Sequence, residues 1–148
     1  MAISHAMRKI VPFAALLPMV LVGIFAFTKG DEPERLAMGA YLLGWMAGML
    51  IQADGDLHQN WQPGLFALDV VMLLVFGGLA WKFRRNWPIW AASLQLIIVT
   101  SHLVILFDLR AGMMSFYTIL NIASYGILVA IGLGTFWAWQ ERRAAGLE

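Results

Sequence analysis

Three polar side chains, Asp69, His102 and Asn121, stand inside three separate apolar runs, each long enough to cross a bilayer. Ionisable groups at membrane depth are costly and tend to face a protein interior or a water-filled path, so they mark a candidate functional site. A carboxylate beside an imidazole can take up and pass on a proton. Burial favours the neutral carboxyl, a nearby imidazolium favours the anion, and histidine titrates near neutrality. A second chemistry is metal binding, since Asp54, Asp56 and His58 in one connection, together with His102, offer oxygen and nitrogen donors to a divalent ion. The Asp-x-Asp-x-His spacing is that of a flexible loop and not of a helical ligand pair. A third is bis-histidine haem ligation by His58 and His102, or binding of a quinone or pigment in a layer formed by His102 and Tyr117. The sequence requires no cofactor. Against all three stands a structural role, in which a buried aspartate and histidine pair simply to set the register of two helices.

Composition decides the environment in which these residues work. Of 148 residues, 61% are hydrophobic and 13% charged, with a mean hydropathy of +0.74. A soluble domain of this size would carry about 25% charged residues. The net charge of +1 and the scattering of Lys and Arg into short clusters beside apolar runs argue against a nucleic-acid partner. With no cysteine, disulfides, thiolate nucleophiles and zinc-thiolate sites are excluded. The lipid bilayer is the first partner to expect.

Five apolar segments fall at 10–28, 36–53, 64–83, 88–107 and 113–139, joined by short connections. The expectation is therefore all-α: one transmembrane helical bundle over residues 1–148, with five spans preferred to four plus an interfacial helix. Segment 36–53, the shortest and interrupted by Gly39, Gly44 and Gly48, is the one that the four-span alternative lays in the interface. Arg8 and Lys9 before the first run also describe a signal peptide. The length of that run and the lack of a small-x-small site before Lys29 favour a retained helix. The terminal Leu147-Glu148 has the look of a cloning remnant.

Lys29, Arg35, Lys82, Arg84, Arg85, Arg142 and Arg143 fall on one side of a five-span bundle, and Arg8, Lys9 and Arg110 on the other. The excess of positive charge assigns the first side, with the carboxy terminus, to the cytoplasm, as in a bacterial inner-membrane protein. Trp81, Trp87, Trp90, Trp137 and Trp139 gather at the same helix ends and read as an interfacial belt. At 1.5 Å of rise per residue, Asp69, His102 and Asn121 all lie on the order of 10 Å below the opposite face. Gln95 lies seven residues before His102 on one helical face, and Tyr117, Asn121, Ser124 and Leu128 follow a stripe at spacings of three and four. A polar layer of Asp69, Gln95, His102, Tyr117, Asn121 and Ser124 is expected beneath an acidic mouth.

Small residues mark the packing surfaces. Ala40, Gly44, Ala47 and Gly48 form one stripe, and Gly126, Ala130 and Gly134 form another, serving either internal packing or an assembly with a second membrane protein or with further copies of the chain. No His-Glu-x-x-His, Gly-x-Ser-x-Gly, Gly-x-Gly-x-x-Gly or phosphate-loop pattern occurs, and Ser101 beside His102 points in a different direction, so a non-enzyme is favoured. Trp87-Pro88-x-Trp90-Ala91-Ala92, followed by Gln95 and His102-Leu103, resembles small multi-span membrane proteins of alphaproteobacteria. That resemblance covers mainly the fourth segment and implies no function. Ser101-His102-Leu103 also resembles a piece of the haem-bearing anchor of succinate dehydrogenase, but the spacing to Asp108 departs from it and no role is carried over. The expectation is an accessory, assembly or stabilising subunit of a larger membrane complex. The alternative is an oligomeric proton-coupled transporter or channel protomer using the Asp69 and His102 layer.

Overall fold

Each apolar run becomes one helix, because only intrahelical bonding satisfies the backbone where water is absent. In the computed structural model the order is α1 (Ala2–Lys29), α2 (Glu32–Ala53), α3 (Pro63–Phe83), α4 (Trp87–Phe107) and α5 (Met113–Ala144). Residues 2–53, 63–107 and 113–147 are described, with the backbone alone for 2–15, 52–53 and 113–114. The helices overrun the apolar segments at both termini of the chain and at the start of α2. There a charged first turn, Glu32 and Glu34, continues the helix beyond the apolar residues.

Three helices, α3, α4 and Ser115–Ala144 of α5, are long and apolar enough to cross a membrane. The described apolar part of α1, Leu16–Lys29, is shorter. Although α2 is less apolar, it stands upright beside its neighbours. Its side chains meet Trp87 at Glu34, Ser124 at Tyr41, Met72 at Gly44, and Leu65 and Leu68 at Gly48. These contacts run along α2 from Glu34 to Gly48, about 21 Å at 1.5 Å per residue.

The helices close into a ring in chain order, with α1 returning to α5 and α2 also touching α5 across the ring. Neighbours run antiparallel except at the closure. Val22 lies beside Gly132 and Phe25 beside Trp139, so α1 and α5 run the same way. Phe76, Met38, Ile127 and Ile131 fill the centre without solvent contact. The small-residue stripes are occupied from within the chain. Met72 sits on Gly44, Leu94 on Gly126, and Ala130 is buried in the same core.

One end of the ring gathers the α1–α2 turn, the α3–α4 turn and the end of α5. Its centre is Glu34, a fully buried carboxylate. Glu34 is the fourth residue of Asp31-Glu32-Pro33-Glu34, a capping box in which its Oε2 accepts the Asp31 N–H at 2.9 Å. Its Oε1 accepts from the Trp87 indole N–H at 2.8 Å and from Arg85 Nη1 at 3.3 Å. Arg85 also donates to Asp31 at 2.8 Å, and Arg142 of α5 donates to Asp31 and to the Lys29 carbonyl. Gly30 is obligatory in this turn, because a Cβ would strike the Ala26 carbonyl.

Trp87 departs from the expected belt. It is buried, held by Glu34 and laid against Gly134, where a Cβ would meet its ring at 2.5 Å. Trp81, Trp90 and Trp137 remain on the outside, with Trp90 and Trp137 in edge contact at 5.6 Å. Trp139 is partly covered, packed edge-on against Phe25 and Phe136 and flanked by Lys29 and Arg143.

Substitutions at three positions test this packing. Gly134→Ala is expected to cost about 1–3 kcal/mol by overpacking against an indole that cannot swing away. Gly78→Ala meets nothing within 4 Å and should be neutral or gain up to about 1 kcal/mol of helix propensity. Unfolding of both in mild detergent by SDS titration compares them directly. Glu34→Ala strands the Trp87 and Arg85 donors and should cost on the order of 3 kcal/mol in the same assay, with Glu34→Gln milder because its amide oxygen still accepts from Trp87.

Candidate functional site

α3 and α4 bring together three of the six polar-layer residues, Gln95 and His102 meeting the Asp69 carboxylate. Gln95 and His102 are seven residues apart on the inner face of α4, and both are buried. Asp69 of α3 sits between them. Its Oδ1 accepts from the Gln95 side-chain amide at 2.8 Å, and its Oδ2 lies 3.0 Å from His102 Nε2. The same Gln95 amide nitrogen also reaches the Asp69 backbone carbonyl at 3.2 Å. Two turns of α4 thus grip one residue of α3 from both sides, and Phe66 and Phe116 present their edges to the imidazole at 6.2 and 5.1 Å between ring centres.

The remaining members of the expected layer do not converge. Asn121 is exposed, and its amide donates to the Tyr117 carbonyl at 2.9 Å one turn back on α5. Tyr117 is also exposed, in edge contact with Phe116. The inward stripe of α5 is Leu120, Ala123, Ile127 and Ile131, about 100° around the helix from Asn121. Ser124 stays near the site through its backbone carbonyl, which accepts from the Tyr41 hydroxyl at 3.2 Å. The external Asp54, Asp56 and His58 lie outside the described residues. Among the described residues no group of three or more His, Cys, Asp or Glu could hold a metal ion.

A cleft of about 240 Å³ opens beside the carboxylate, walled by Tyr41, Trp45 and Met49 of α2, Leu68 and Met72 of α3, and Ser124 of α5. Asp69, Gln95 and His102 all line it. The exposures of the pair differ in a way that matters: the Asp69 side chain retains 23% of its surface, the His102 side chain only 6%. The carboxylate is therefore reachable from the cleft, and the imidazole is held behind it.

With Nε2 protonated, imidazole and amide each donate to one carboxylate oxygen, and both oxygens are satisfied. With a second proton added on Asp69, Nε2 becomes the acceptor and the neutral imidazole carries its proton on Nδ1. The pair can thus hold one proton or two with the same side chains in contact. A carboxylate and an imidazole so paired can hold and exchange a proton.

Comparison of the chain with protein-family models, with curated proteins and with solved structures gives no match. The site therefore rests on its own geometry. Tyr41, Trp45 and the Asp31, Glu34, Arg85 and Arg142 cluster escaped the sequence reading. The capping box was the one available signal for the cluster, whereas nothing local marks Tyr41.

The hydrogen-bond pattern predicts one imidazole tautomer. Nitrogen-15 spectra of histidine-labelled protein at neutral pH should show His102 protonated on Nε2 and bare on Nδ1, and Asp69→Ala should release it into a mixture. A wild-type ring protonated only on Nδ1 would reverse the donor assignment.

Proposed function

We propose that this chain is a small, non-enzymatic integral membrane protein whose Asp69–Gln95–His102 cleft takes up and releases a proton, as one protomer of an oligomeric proton-coupled transporter. The observation that carries this reading is the reachable carboxylate paired to a buried imidazole inside a ring of apolar helices. A register-setting pair needs no opening beside it, and here one of about 240 Å³ leads to the carboxylate. The gathering of Arg84, Arg85, Arg142 and Lys29 at the opposite end of the ring supports a cytoplasmic side there, in a bacterial inner membrane, with the cleft in the outer half.

A role as an accessory or stabilising subunit of a larger membrane complex is the second reading. It is favoured by the small ring itself, since five helices around a filled core of Phe76, Ile127 and Ile131 leave little room for a solute path within one chain. Co-purification with a larger complex from native membranes in mild detergent is its expected signature.

In liposomes loaded with a pH-sensitive dye, the wild-type protein should carry protons when a membrane potential is imposed. Asp69→Asn should reduce the initial rate at least about tenfold, and His102→Ala nearly as much, while Asn121→Ala, outside the cleft, should leave it unchanged. Equal rates in Asp69→Asn and wild type would remove the pair as carriers.

A further inference from the structure

The cleft holds acceptors that the fold leaves unused, and the Trp45 indole N–H and Ser124 hydroxyl line it beside them. Asp69 uses its two oxygens on Gln95 and His102 but retains lone pairs toward the opening, and Gln95 donates through its nitrogen, leaving Oε1 unused. The Tyr41 hydroxyl spends its proton on the Ser124 carbonyl. His102 Nδ1 has no hydrogen-bond partner among the described residues, although the side chain is 94% buried and lines the cleft.

Charge selects among donors. With a neutral imidazole the cleft carries one carboxylate and, among the described residues that line it, no cation. A negative charge in an apolar surround is stabilised by a partner of opposite sign. The remaining walls are apolar or aromatic, with Trp45, Met49 and Met72 facing the opening and the indole able to sit against a cation. The volume falls below the roughly 300 Å³ at which sites for drug-sized ligands begin. We infer that the cleft binds a small lipophilic primary ammonium ion, held by the Asp69 carboxylate, in exchange for a proton. This inference rests on the proton-exchanging reading of the same site and names its substrate class.

The exchange balances. With its carboxyl protonated, Asp69 carries no charge to hold a cation. An arriving ammonium donates to the Asp69 carboxylate only once that proton has left, so one cation enters and one proton departs. No bond is made or broken in the ligand. Three elements present the titratable groups that share the cleft, namely Asp69 on α3, His102 on α4 and Tyr41 on α2, whereas α5 contributes none among its described lining residues.

The test uses the full chain in nanodiscs with three isosteric probes: 2-phenylethylamine, n-propylbenzene and 3-phenylpropanoate. Binding is followed calorimetrically and by the carbon-13 methyl signals of Met49 and Met72. The amine should bind saturably, at least tenfold more tightly than the hydrocarbon, and the carboxylate should not bind. Amine affinity should fall about tenfold per pH unit once the site is protonated, with one proton released per amine bound. Asp69→Asn should abolish the preference for amine over hydrocarbon while the helical circular dichroism is retained. Should that variant fail to fold, the probe series on wild-type protein still decides the question. Equal binding of amine and hydrocarbon, binding of the carboxylate, or no binding up to millimolar amine overturns the inference. If proton flux depends on Asp69 and the amine does not bind, the substrate class fails and the proton-exchanging reading stands. If flux is indifferent to Asp69 and the amine still binds selectively and releases a proton, the ligand assignment stands and the transporter reading fails.

Discussion

The bond from the Trp87 indole to Glu34 is the contact on which the remaining structure depends. A carboxylate with no solvent contact must be given donors from protein, and Glu34 receives three: the Asp31 amide, the Trp87 indole and the Arg85 guanidinium. These donors come from the turn before α2, the start of α4 and the α3–α4 turn. Satisfying one group therefore sets the height of three helices relative to one another. Trp87, once anchored, lies against Gly134 and sets the approach of α5, and Arg142 ties the end of α5 to Asp31. The electrostatics is local, but its consequence is the register of the ring.

Register is what the cleft requires. A helix residue moved by one position turns about 100° and rises 1.5 Å. Asp69 meets both Gln95 and His102 only because α3 and α4 are held antiparallel at one height, by a three-residue turn in which Arg84 adopts the left-handed conformation at φ 51°. The two polar clusters then contrast. At the basic end, the carboxylates of Asp31 and Glu34 are met by arginines, an indole and a backbone amide, and the cluster acts as a fastener. In the cleft, the carboxylate is reachable and no cation stands among the described residues that line it.

How much of this was legible in the sequence can be argued residue by residue. Hydropathy located every helix to within a few residues at most boundaries, because a bilayer tolerates few other structures and the apolar runs are long. The Gln95 and His102 pair was legible because a seven-residue spacing keeps two side chains on one helical face. Asn121 misled the reading: its stripe with Tyr117 and Ser124 is regular, but periodicity says which residues share a face and not which face turns inward. Trp87 misled it for a related reason. Its position at a helix end fits an interfacial anchor, and only the placement of Glu34 and of Gly134 opposite it turns the indole into the core.

From the amino-acid order alone came the helical class, the number and approximate ends of the helices, the gathering of positive charge on alternate connections, and the sharing of one α4 face by Gln95 and His102. All of these follow from local composition and from the fixed rise of a helix. Tertiary structure decided that α2 stands upright beside α3, that the small-residue stripes are filled by Met72, Leu94 and Trp87, and that Asp69 rather than Asn121 joins His102. It also decided that the pair borders a cleft with unused acceptors. Those properties depend on the rotation of each helix about its own axis, which is set by the sum of contacts around the ring and is written in no single segment.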